Sequence, residues 1–133
     1  MKKNNRGFTL AELLIVVAII AVLVAIAIPV FTSQLERSRE ATDAANIRSA
    51  YAEVVTNYLT ENDATFTITV NSRQGQAGWQ GDQPQIVYQG GGQNAQQTFN
   101  IPASTAPGGT YTVGITIDND TGAATPTVTY TAA

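Results

Sequence analysis

The sequence predicts an α+β fold: a long N-terminal α-helix, apolar in its first half, and a small antiparallel β-sheet packed on its second half. Three observations predict it. From Leu13 to Phe31 the chain is a nearly unbroken apolar run, and a helical period carries on beyond it. After Glu61-Asn62-Asp63 the period of the apolar residues drops to two. Near the C-terminus, two runs rich in Thr, Val, Ile and Tyr flank a short turn sequence.

The chain opens on a basic head of Lys2, Lys3 and Arg6, followed by Gly7 and then Phe8-Thr9-Leu10-Ala11-Glu12. As a helix, Leu13–Phe31 spans or nearly spans a hydrocarbon core of roughly 30 Å. Pro29 removes one backbone hydrogen bond and its ring crowds the carbonyl of Ala25. It either ends the helix at a membrane surface or kinks it, and the kink is the reading adopted. From Thr32 to about Thr60 the helix continues as an amphipathic one. Ile47, Tyr51, Val54/Val55 and Tyr58 recur at spacings of three and four and form its apolar stripe. Glu36, Arg37, Arg39, Glu40 and Asp43 are expected to form a solvated face or salt bridges between subunits.

Strict alternation over Thr65–Val70 predicts a half-buried strand, and Gln85–Gln89 a shorter one. Thr110–Asp118 and Thr125–Thr131 predict two more, joined through Asn119-Asp120-Thr121-Gly122 as a hairpin. The expectation is one antiparallel sheet of about four strands within 64–133. The Gln- and Gly-rich segments 71–84 and 89–97 are expected to be exposed loops. Trp79 is assigned to core or interface packing.

Composition removes several function classes. The 133 residues support one domain plus an anchor. With no Cys there is no disulfide and no thiolate metal site, and with no His the commonest general base and metal ligand are missing. The chain shows no nucleophile–base pair and no phosphate loop, so it is read as a non-enzyme without a cofactor. Asp118 and Asp120 are a weak metal candidate, because their spacing departs from the EF-hand pattern and a plain turn accounts for them. The net charge is −3, but three of the seven basic residues lie in the first six positions. Beyond Gly7 only four arginines face ten acids, which disfavours direct nucleic-acid binding. No Lys remains there, which excludes lysine isopeptide cross-links in a chain that starts at Phe8.

The basic head keeps the N-terminus cytoplasmic and sends the rest of the chain to the far side. Ala25-Ile26-Ala27 would suit a secretory signal peptide, and the hydrophobicity alone would suit a plain signal anchor. Neither assigns a role to Glu12, a lone carboxylate at the mouth of the apolar run. A charge well inside a bilayer costs roughly 2.5–3.5 kcal/mol on insertion scales, so such a residue calls for a partner. Gly7 has no side chain and suits a tight peptidase subsite. A cut after it would create an α-ammonium at Phe8, and Glu12, four residues on, is its natural counter-ion in the same chain or a neighbouring one.

The stretch Arg6-Gly7-Phe8-Thr9-Leu10-Ala11-Glu12-Leu13-Leu14-Ile15-Val16-Val17 closely resembles the N-terminus of type IV pilins and their pseudopilin relatives. The resemblance covers roughly residues 1–60 and is architectural beyond. It implies a leader, 1–7, cut after Gly7 by a prepilin peptidase that also N-methylates Phe8. It implies a transmembrane and assembly helix, 8–31, and a globular head, 32–133, whose helix runs over 32–60. It also implies a homopolymer held through N-terminal helices, with Glu12 paired to the Phe8 amine of an adjacent subunit and Pro29 loosening the helix on packing. The implied partners are an assembly platform and a cytoplasmic ATPase, and the implied location is the cytoplasmic membrane before assembly and an extracellular filament after it. A pseudopilin of a type II secretion or DNA-uptake system is the alternative within the family. A membrane-anchored binding module that never polymerises is the alternative from another class.

Overall fold

The computed structural model of the chain describes residues 6–90 and 95–133. Lys2 and Lys3, and with them most of the expected leader, lie outside the described residues. The fold is α+β, in the element order α1 (Leu10–Glu61), β1 (Ile68–Asn71), β2 (Gln85–Gly90), β3 (Ala95–Asn100), β4 (Thr110–Ile117) and β5 (Ala124–Thr131). Packing divides it into two units, one up to Gln34 and one from Leu35 onward.

In the first unit every described residue is exposed. Its side chains are those of a helix long and apolar enough to cross a membrane. Apolar surface on this scale is uncommon on a soluble monomer and marks a face meant for lipid or for other helices. The helix does not end at Pro29, which lies inside α1. The Thr32 hydroxyl donates to the Pro29 carbonyl at 3.0 Å, a side-chain bond to the preceding turn.

In the second unit, α1 buries Ala44, Ile47, Ala50 and Val54. Tyr51, Val55 and Tyr58, from the expected stripe, are half-buried beside them. The helix stops at Asn62, which adopts a left-handed φ of 56° while its N–H donates to the Tyr58 carbonyl at 2.8 Å. Asn tolerates that conformation better than most residues do, which is why a helix can end there.

The strands form two sheets and not the single four-stranded one expected. One has the order β1-β4-β5, antiparallel throughout, and the other is the β2-β3 hairpin. In the first, Val70 pairs with Tyr111 and Val113 with Val128, so these side chains share one face. That face and α1 enclose the core of Ile47, Ala50, Ile86, Ile101, Tyr111, Val113 and Val128. The opposite face carries Thr in register, for example Thr69–Thr112–Thr129. β-branched residues suit such a half-solvated surface.

Two boundaries differ from expectation for identifiable reasons. β1 begins at Ile68, not Thr65, because Asp63 takes both the Thr65 N–H (2.8 Å) and its hydroxyl (2.6 Å). A side-chain turn of this kind competes with a strand ladder. β3 begins inside the segment 89–97 that the sequence predicts as a loop and runs beyond it, and 91–94 lie outside the described residues. Its apolar content is low, and the hairpin gains from side-chain bonds instead. Gln85 Nε2 donates to Asn100 Oδ1 at 2.8 Å and the Tyr88 hydroxyl to Gln97 Oε1 at 2.9 Å, while Phe99 pairs with Ile86.

The turn into β4 needs a residue without a side chain. A Cβ on Gly109 would collide with the Thr131 carbonyl and the Tyr130 hydroxyl, neither of which can withdraw without breaking the β4–β5 end pair or the bond from Gly109 N–H to that hydroxyl. Gly109→Ala should therefore lower head stability by about 1–3 kcal/mol, the usual cost of overpacking. A denaturant midpoint unchanged from the parent would show that this approach is not constrained.

Candidate functional site

Two places in the chain carry its polar chemistry. The first is the start of α1. Arg6 to Thr9 have no regular secondary structure, and Phe8 is 84% exposed. Nothing lies within 4 Å of where a Gly7 Cβ would stand. The Gly7–Phe8 bond therefore lies in open, non-helical backbone, as a peptidase substrate must. Immediately after it, Thr9 N–H donates to Glu12 Oε2 at 2.8 Å, and Glu12 N–H donates to Thr9 Oγ1 at 3.2 Å. This reciprocal pair is a capping box, with Thr9 as the N-cap and Glu12 three residues on. The carboxylate also sits where the helix dipole favours an anion. Glu12 is thus a capping residue as well as the expected counter-ion. The Thr-x-x-Glu pattern of Thr9 to Glu12 is the sequence signal of this cap.

The geometry adds a constraint. Glu12 holds the N–H of the residue next to Phe8, so its carboxylate is already directed to the backbone where the cut would release an amine. It reaches that position by capping its own helix and needs no partner chain to orient it.

Residues 2–28 match the family model described as the prokaryotic N-terminal methylation motif. Over its N-terminal part the chain is similar to type IV pilins. It is 52% identical over 48 residues to the type IV major pilin protein PilA of Myxococcus xanthus, a match covering 36% of this chain and 22% of that protein. It is 50% identical over 50 residues to the type IV narrow pilus major component of Thermus thermophilus, covering 35% of this chain and 43% of that one. It is 56% identical over 39 residues to the type IV major fimbrial protein FimA of Dichelobacter nodosus, covering 29% and 25%. In each case the matched part spans less than half of the relative's length. No solved structure matches the chain.

The second place corrects the sequence reading. Glu36, Glu40 and Asp43 are not a solvated face. They are 3%, 5% and 0% exposed, and they hold the loop between β1 and β2 by its backbone. Glu36 Oε1 accepts from the N–H groups of Gly75 (2.7 Å) and Gln76 (2.9 Å). Glu40 accepts from Gln80 (2.5 Å) and Gly81 (3.1 Å). Asp43 accepts from Arg73 with both oxygens (3.0 and 2.8 Å), from Gln74 (3.2 Å) and from the Ser72 hydroxyl (3.1 Å). Arg39 pairs with Glu36 at 3.4 Å, the single ion pair among the described residues. Gly75 permits the approach, since a Cβ there would stand 2.8 Å from the Arg39 guanidinium and 3.1 Å from Glu36 Oε2. Segment 71–84 is thus a loop in path but not a free one, and Gln74 within it is buried.

The remaining candidates resolve simply. Asp118 Oδ1 accepts from the N–H groups of Asp120 (2.8 Å) and Thr121 (3.1 Å). Those amides hold the Asp118 carboxyl below the usual carboxylate range. Gly122, at a φ of 70°, completes a turn. Among the described residues, no group of three or more Asp, Glu, His or Cys is placed to hold a metal ion. Trp79 packs against the core, stacked on Tyr111 with centroids 6.2 Å apart, and its indole N–H donates to the Ile101 carbonyl at 3.2 Å.

Proposed function

We propose that the chain is a structural subunit that is cleaved after Gly7, N-methylated at Phe8 and polymerised into an extracellular filament through its N-terminal helix. The observation that carries this reading is the methylation-motif match over residues 2–28, on the exposed apolar first half of α1 with a carboxylate in its first turn. Before assembly the helix is anchored once in the cytoplasmic membrane with its basic end inside. During assembly the apolar side chains exchange lipid for the equivalent faces of neighbouring copies. Glu12 neutralises the new Phe8 amine of an adjacent subunit, because an isolated charge is costly in lipid and a paired one is far less so. Pro29, which lacks the N–H that would bond to Ala25, is the place where α1 loosens as subunits pack. The processing enzyme, the assembly platform and the ATPase are other proteins. The chain is their substrate and performs no catalysis itself.

Intact mass of surface-exposed protein tests the reading. The expected species begins at N-methyl-Phe8, and Gly7→Leu should leave only uncut membrane protein. A mature terminus at Ile28 would instead establish a secretory signal peptide and remove the filament reading with it.

A further inference from the structure

We draw no further inference here: the strongest candidate, the hollow of about 130 Å³ beside α1 lined by Arg37, Glu40, Trp79 and Asp82, sets one guanidinium against two carboxylates and so selects neither an anion nor a cation, and nothing in the structure shows what covers it.

Discussion

Glu12→Ala should leave cleavage and membrane level unchanged and reduce filaments at least tenfold. Two losses coincide in the variant. The first is the cap: Thr9 N–H loses its acceptor, at a cost of about 1 kcal/mol at the helix start. The second is the counter-ion. The Phe8 ammonium, once released, would enter an apolar packing environment unpaired, and removing one partner of a buried pair costs roughly 3–5 kcal/mol. Since each 1.4 kcal/mol is tenfold in an equilibrium, the second loss dominates. Membrane insertion itself should ease, because the apolar run no longer carries a carboxylate. Glu12→Gln separates the two roles. Gln can still accept from Thr9 N–H and complete the cap, but it carries no charge. Filaments counted by electron microscopy should be as scarce with Gln as with Ala. Normal filaments with Gln and none with Ala would assign the residue to capping alone, and abundant filaments with both would dismiss it from assembly.

The long helix and its division into an all-apolar and a one-sided half were legible because periodicity reports directly on burial. The hairpin at Asn119–Gly122 was legible for a similar reason: turn residues carry their own geometry. What was not legible depended on partners distant in sequence. Glu36, Glu40 and Asp43 are charged, and charge on a helix is ordinarily solvated. Yet they stand in the same phase as Ile47, Ala50 and Val54, at alternating spacings of four and three. Acids that continue an apolar stripe are the signal that was available. Their acceptors' partners, the N–H groups of residues 73–81, leave no trace in a pattern of side chains. β3 escaped for the same reason, since Gln-Gln-Thr-Phe-Asn has one apolar residue and its pairing with β2 is made by backbone and amide groups.

The buried carboxylates predict the largest stability effect in the head. Asp43→Ala removes the acceptor of four hydrogen bonds, from Ser72, Arg73 and Gln74, in a place water does not reach. Each backbone N–H left without an acceptor costs about 1–3 kcal/mol, so Arg73 and Gln74 together bring the loss to roughly 3–5 kcal/mol. A domain of this size is stable by about 5–15 kcal/mol in total. The head melting temperature should therefore fall by roughly 12 °C or more. Asp43→Asn keeps one acceptor oxygen and most of the volume, and should cost about half as much. The failure should also be local first. With its clamp gone, the loop after β1 opens and exposes the bond after Arg73, which trypsin should cut at low temperature in the Ala variant and not in the parent chain. Glu36→Ala should show the same order of events more weakly, since it holds two amides and a partly exposed Arg39. A variant at position 43 that melts with the parent and resists trypsin would mean that Glu36 and Glu40 suffice to hold the loop, and that the third carboxylate is buried without consequence.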